Sequence, residues 1–298
     1  MEGRSALGIG LVVLSGVSFG AMAIFARLAY TDGMDPVSLL FLRFAIAAVI
    51  MLALAGARRE RFPRGRILVG FALMGGLGYV GQSMSFFTAL TMADAGLVAL
   101  LLYLYPAIVA VLSALFLRER LAPRGVVAVL LALAGTALTV GPRLSGRPLG
   151  IVLGLTAAVI YSVYILVGNR LVSNAPPVAC SAVIMSAAAL VFGALVAVRG
   201  LTLPSGPGGW AGVLGVAIVA TVVAVTTFLI GLRLVGPTRA SVLSTVEPIT
   251  TVALAALLLA EPISVITCVG GTAILGAALL LSLEAAPEAP PHRSAAPG

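Results

Sequence analysis

Glu247 stands directly before Pro248 in a stretch with no other charged residue between Arg239 and Glu261. In a membrane-spanning helix a carboxyl at that depth costs at least roughly 2.5–3.5 kcal/mol on insertion scales, so it should face a protein interior. There it can bind a substrate amine, carry a proton, or, neutral or paired, hold helices together. Arg43 lies in the apolar run that follows Pro36. Its guanidinium keeps its charge, so it can clamp a substrate carboxylate, pair with a backbone carbonyl or with Glu247, or reach back to the outer interface, and the sequence leaves these alternatives open.

Hydroxyl and amide groups at similar depth complete the set. Tyr79, Gln82 and Ser83 share a helical face by their i, i+3 and i+4 spacing, as do Tyr161 and Tyr164, while Tyr103 and Tyr105 precede Pro106. Each alone is equally at home satisfying a backbone group or lying in an interfacial belt. Together they form a candidate cavity lining. Pro106 and Pro248 remove a helical hydrogen bond each and free the carbonyls of Leu102 and Ser244, four residues earlier. They are expected to break or bend two helices and expose polar backbone to a cavity. Cys180 and Cys268 have no ligand partners at metal spacing, and the only histidine, His292, falls in a Pro/Ala-rich tail. No metal site and no cofactor are expected, and no glycine-rich phosphate loop implies a nucleotide.

These residues must be held by membrane helices. The chain is 61% hydrophobic and 9% charged, with a mean hydropathy of +1.18, against about a quarter charged in soluble domains. The net charge of +8 comes from arginines in short segments between apolar runs, which sets orientation and does not imply nucleic acid. A hydrocarbon core about 30 Å thick takes about 20 apolar residues per helix. Ten stretches qualify, near 7–29, 36–56, 66–91, 94–117, 123–141, 149–172, 178–199, 209–235, 237–260 and 263–283, with Gly, Pro and Asp turn signals between them.

An offset of 142 residues superimposes the chain on itself. Leu7, Gly8, Ile9 and Leu11 return as Leu149, Gly150, Ile151 and Leu153; Phe86 and Leu90 as Phe228 and Leu232; Pro106 and Glu119 as Pro248 and Glu261. With only 17 prolines and 10 acidic residues, the repeated Pro-to-Glu spacing marks a duplication. Five helices per copy require the second to enter the membrane inverted. The charges agree: Arg118, Arg120 and Arg124 flank the link between spans four and five, whereas the matching link at Pro262 has none, and Arg233 and Arg239 answer Asp94. With both termini in the cytoplasm, only Arg27, Arg143, Arg147 and Arg199 fall outside. The predicted architecture is an all-α integral membrane protein of ten transmembrane helices, as two inverted five-helix repeats over 1–142 and 143–284, with a disordered cytoplasmic tail over 285–298. Glu119 and Glu261, at helix ends, are expected to be solvated or interfacial anchors, and glycine pairs such as Gly16 with Gly20 and Gly150 with Gly154 to be helix-packing contacts.

The stretch Phe86-Phe87-Thr88-Ala89-Leu90, the segment from Pro106 to Glu119 with its ending Leu115-Phe116-Leu117-Arg118-Glu119-Arg120-Leu121, and the second copy from Glu247-Pro248 to Glu261 resemble EamA-type members of the drug/metabolite transporter superfamily. The resemblance spans about residues 6 to 283. It implies an export or uptake function for amino acids, other metabolites, nucleotide-related compounds or drugs. Leu102-Tyr103-Leu104-Tyr105-Pro106 is similar to amino-acid exporters, including those for aromatic amino acids. The single tryptophan, Trp210, lies near a loop, so an aromatic-lined cavity must be built from tyrosine and phenylalanine.

Inverted repeats of this kind build secondary transporters whose site lies where the copies meet. The expected function is alternating-access transport of small metabolites, foremost amino acids or related compounds, in a cell (inner) membrane, by a monomer or homodimer whose partners are its substrate and the lipid bilayer. A multidrug or small-cation exporter is the alternative. An intramembrane enzyme acting on lipid-linked substrates would need an acid–base constellation, and this chain has no membrane histidine and one deep carboxylate.

Overall fold

Proline and glycine divide the chain into helices close to where the apolar stretches begin and end. The computed structural model describes residues 2–116, 123–140, 147–171, 176–235, 240 and 243–284. Every regular element among them is helical: α1 (Glu2–Gly20), α2 (Met22–Thr31), α3 (Pro36–Ala57), α4 (Gly65–Leu73), α5 (Val80–Ala89), α6 (Ala95–Leu102), α7 (Tyr105–Phe116), α8 (Pro123–Val140), α9 (Pro148–Leu171), α10 (Pro177–Arg199), α11 (Pro207–Leu214), α12 (Ala224–Val235), α13 (Val246–Leu259) and α14 (Val265–Glu284). Two π-helical segments, Met74–Tyr79 and Gly215–Val223, join α4 to α5 and α11 to α12.

Among the described residues, seven continuous stretches are long and apolar enough to cross a membrane: Ala6–Thr31, Pro36–Ala57, Gly65–Ala89, Ala95–Phe116, Pro148–Gly168, Pro177–Arg199 and Pro207–Val235. Three shorter apolar helices, Pro123–Leu138, Val246–Leu259 and Val265–Leu281, coincide with the remaining expected stretches. Large side chains such as Leu77, Leu190, Val198 and Leu257 are exposed, as suits a surface solvated by hydrocarbon instead of water.

Helices pair across the two halves. α3 packs on α10 and α8 on α14, each joining stretches 142 residues apart, while α1 lies on α12 and α9 on α5. Glycine permits the closest approaches. Gly8 meets Leu234 and Gly150 meets Met92, so the two contacts exchange under the same offset. A Cβ at Gly20 would lie 2.5 Å from the carbonyl oxygen of Glu247, which fixes α1 against α13 beside the candidate site.

Helix starts are tied down by acids, near and far. Asp35 caps α3 locally, accepting from Val37 N at 2.8 Å, Ser38 N at 3.2 Å and the Ser38 hydroxyl at 2.6 Å. The matching start of α10 has no acid of its own, and Ala179 N donates instead to Glu60 at 2.9 Å. Reciprocally, Thr202 N donates to the Ser38 hydroxyl at 3.0 Å. Partial burial would raise the Asp35 carboxyl, but the Ser38 hydroxyl and the amides of Ser38 and Val37 outweigh it and hold the group below its ordinary value of 3.8. The cap therefore stabilises fully above that value and is lost as pH falls through the lowered one. Asp35→Ala is expected to cost about 1 kcal/mol. Thermal midpoints in detergent should differ at neutral pH and converge in acid once the pH falls below the lowered value.

The Glu119 side of the Pro-to-Glu repeat lies outside the described residues. Glu261, expected to be a solvated or interfacial anchor, is an anchor between helices with its side chain 15% exposed. Its carboxylate accepts from Ala95 N at 2.8 Å and Gly96 N at 3.1 Å, and so caps α6 from a distant part of the chain. Adjacency to Pro262 and a helix end says nothing about a partner 166 positions away.

Candidate functional site

Helix breaks open the protein where the prolines require them. α6 stops at Leu102, and the chain turns at Tyr103 and Leu104 before α7 begins at Tyr105, one residue ahead of Pro106. In the second half a turn at Thr245 precedes α13 and Pro248. The freed Ser244 carbonyl accepts from the Tyr103 hydroxyl at 2.8 Å, and the same hydroxyl lies 3.0 Å from Glu247 Oε2. One break is thus held by a side chain from the other.

A cavity of about 420 Å³ lies between these breaks, within the usual range for small-molecule sites. Of the residues singled out from sequence, it is lined by Arg43, Tyr79, Gln82, Tyr103, Tyr105, Tyr161, Tyr164, Glu247 and Pro248. Ser83 and Pro106 are not among the lining residues. Ser83 is fully buried and its hydroxyl donates to the Gln82 side-chain oxygen at 3.3 Å. One residue past Gln82 rotates a side chain about a quarter turn round the helix. Pro106 shapes the break without reaching the space it opens. α8 and α14 contribute no lining residue.

Arg43 is 2% exposed. Its Nε donates to the Thr221 hydroxyl at 2.9 Å and Nη2 to the Tyr79 hydroxyl at 3.1 Å. The guanidinium carbon lies 4.9 Å from the Phe44 ring centre, 5.2 Å from Phe87 and 5.6 Å from Tyr79. Of the alternatives open in the sequence, pairing with Glu247 is not the one adopted, since its hydrogen bonds go to two neutral hydroxyls. Tyr79 and Thr221 are 142 residues apart and each sits in a π-helical segment. A π turn re-aims side chains and recurs at functional sites. Here the two equivalent turns present one hydroxyl each to one arginine.

A wall of rings connects the Arg43 end to the Glu247 end. Tyr79 meets Tyr164 at 6.0 Å between centres, Tyr164 meets Tyr161 at 6.1 Å, Tyr161 meets Tyr105 at 4.9 Å, and Tyr105 meets Tyr103 at 5.8 Å. Edge and offset geometries at these separations are the favourable ones. Several lining residues escaped sequence reasoning, among them Phe19, Met22 and Met185. The offset could have found them, since they match Tyr161, Tyr164 and Arg43, as Thr221 matches Tyr79.

The model of the EamA-like transporter family matches residues 6–141 and again 148–283. The chain belongs to that family. This EamA-like transporter is similar to an uncharacterized transporter of Archaeoglobus fulgidus, 27% identical over 278 residues, or 90% of this chain and 94% of the relative. It resembles the Bacillus subtilis transporter YyaM at 23% identity, covering 89% and 90% of the two chains. The aromatic amino acid exporter YddG of Ancylobacter novellus is 32% identical over 174 residues, 52% of this chain and 57% of the exporter. A crystal structure aligns with a TM-score of 0.66 at 22% identity over 96% of this chain and 98% of its own, a likeness of fold. The EamA-like transporter is therefore a multi-pass, all-helical membrane protein.

Proposed function

We propose that this EamA-like transporter moves amino acids or closely related amine- and carboxylate-bearing metabolites by alternating access around the cavity between its halves. The observation that carries the reading is Arg43, a buried guanidinium lining the cavity with two hydroxyls and three rings as neighbours and, among the described residues, no carboxylate bonded to it. An unpaired buried charge is costly, and a substrate anion supplies what the protein withholds. Glu247, on the same cavity wall system, offers the opposite charge to an ammonium group. The ring wall suits an apolar or aromatic side chain, in keeping with the partial likeness to an aromatic amino acid exporter.

The scaffold is read as ten transmembrane helices in two inverted repeats, residues 1–142 and 143–284, with both termini and the 285–298 tail in the cytoplasm of a cell (inner) membrane. Contacts that exchange under the 142-residue offset support it, such as Gly8 with Leu234 against Gly150 with Met92. Cavity positions also come in equivalent pairs, including Phe19 with Tyr161, Phe86 with Phe228 and Tyr105 with Glu247. A site on a pseudo-two-fold axis is what alternating access between repeats requires. The protein acts as monomer or homodimer without a cofactor, and Arg43 favours substrates that bring a carboxylate over the alternative of a multidrug or small-cation exporter.

The test is counterflow in proteoliposomes preloaded with unlabelled L-phenylalanine. Labelled phenylalanine should accumulate transiently and be competed by other zwitterionic amino acids, while tetraphenylphosphonium should compete poorly. Exchange of the lipophilic cation with none of any amino acid would overturn the assignment in favour of the multidrug reading.

A further inference from the structure

Tyr103 joins the two helix breaks through its single hydroxyl. Three oxygens meet there: the Ser244 carbonyl at 2.8 Å, the Tyr103 hydroxyl, and Glu247 Oε2 at 3.0 Å from that hydroxyl. A carbonyl and an ionised carboxylate are acceptors only, and a phenol has one proton. Ser244 O lost its helical donor to Pro248, so the Tyr103 proton is committed to it. The second contact is complete only when Glu247 supplies a proton of its own and donates to the Tyr103 oxygen.

We propose that in this conformation Glu247 carries a proton, and that a substrate ammonium group displaces that proton one for one, making the transporter an exchanger of protons for amine-bearing substrates. The exchange balances: the carboxyl and the incoming ammonium become a carboxylate hydrogen-bonded by the ammonium, and one proton leaves to water. Tyr103 keeps donating to Ser244 in both states and is the positioning residue. A carboxylate with neither proton nor amine would instead draw the Tyr103 hydroxyl away and leave the Ser244 carbonyl bare at the helix break, a buried unsatisfied acceptor. The empty, ionised cavity is thereby disfavoured, which is the condition for coupled exchange.

The surroundings of Glu247 leave it as the titrating group. Tyr103, Tyr105 and Tyr161 face it as neutral phenols. Of the helices packed on α13, α1 presents Gly16 and Gly20 to it and α6 is wholly apolar. Arg27 of α2 is engaged with Glu261 at the far end of α13, and Arg43 is held by Thr221 and Tyr79.

This inference rests on the substrate reading above, and the experiment separates the two. The purified full-length chain in nanodiscs, weakly buffered with a pH indicator, is titrated between pH 5 and 8 with L-phenylalanine, with phenethylamine, which lacks the carboxylate, and with 3-phenylpropionate, which lacks the amine. The first two should release about one proton per molecule bound at the acid end, falling towards zero as the pH rises, and 3-phenylpropionate should release none. Glu247→Gln should bind phenethylamine at least tenfold more weakly with no proton release. Tyr103→Phe removes the acceptor for the carboxyl proton, so its release curve should move to lower pH; movement to higher pH would mean that Tyr103 donates to the carboxylate, and overturns the assignment. Amine binding without proton release at any pH overturns the exchange while leaving the substrate reading intact. A folded chain that binds none of the three probes brings down both.

Discussion

Arg43→Met is expected to lower the affinity for carboxylate-bearing substrates at least about 100-fold while leaving the protein as stable as wild type or more so. Removing one member of a buried, hydrogen-bonded charge pair at a binding site costs about 2–5 kcal/mol, most of it from stranding the other charge. The substrate carboxylate would be the stranded group. For the empty protein the sign reverses. The guanidinium is 2% exposed and rests on neutral hydroxyls and rings. Replacing such a charge with a well-packed apolar side chain is often neutral or stabilising. Thr221 keeps its own hydrogen bond to the Val216 carbonyl at 2.8 Å, so the π turn retains an internal tie. Methionine also stands at the equivalent position 185 and lines the same cavity. Counterflow and thermal midpoint should therefore move in opposite directions. Arg43→Lys should rescue only in part, because a point charge cannot span Thr221 and Tyr79 as a planar fork does. A parallel fall in stability and transport would make Arg43 a structural brace and remove the main support for an anionic substrate group.

Much of the fold was legible because its determinants are local. Twenty apolar residues between prolines and glycines read as a membrane helix, and Pro106 and Pro248 located both helix breaks to within a few residues. The cavity was legible in part: Glu247, Arg43 and the tyrosines announced themselves as polar groups in apolar stretches, and seven of them meet around one space. What stayed hidden depends on contacts far apart in sequence. Arg43 could face a carbonyl, a carboxylate or the interface, and the choice of Thr221, 178 positions on, belongs to the packing of α3 against the second π segment. Gln82 and Ser83 looked interchangeable because helical periodicity tolerates either on a broad face, and only the neighbours decide which one borders the cavity. Glu60 reads as one more charge in a basic loop, although it caps α10 across 119 positions.

Removing the Glu261 carboxylate is expected to be the most destabilising single change at the periphery of the site. Glu261 follows the carboxyl end of α13, where its charge meets the negative end of its own helix dipole, and left-handed Ala260 turns the chain there. It is favourable only because it serves the positive start of α6, taking Ala95 N at 2.8 Å and Gly96 N at 3.1 Å, with Arg27 Nη2 at 3.8 Å. Charge-assisted bonds of this kind contribute about 1.5–3 kcal/mol each, and their loss strands two amides. Glu261→Ala should therefore cost about 2–4 kcal/mol, and Arg27→Gln less, because that ion pair is partly solvated and the arginine's bond to the Ala93 carbonyl is the single hydrogen bond lost with it. Equal losses for both would make the ion pair, and not the cap, the source. The effect should reach the cavity as well. α6 is only eight residues long and is tied at both ends to the segment that carries α13, at its start through Glu261, just after that helix, and beyond its last residue through Ser244, just before it, and Glu247 on Tyr103. Freeing the start removes one of these two polar ties, so the Ser244 bond loosens and substrate exchange slows before the chain unfolds. Counterflow with Glu261→Ala, measured at a temperature well below its lowered midpoint, should still fall several-fold.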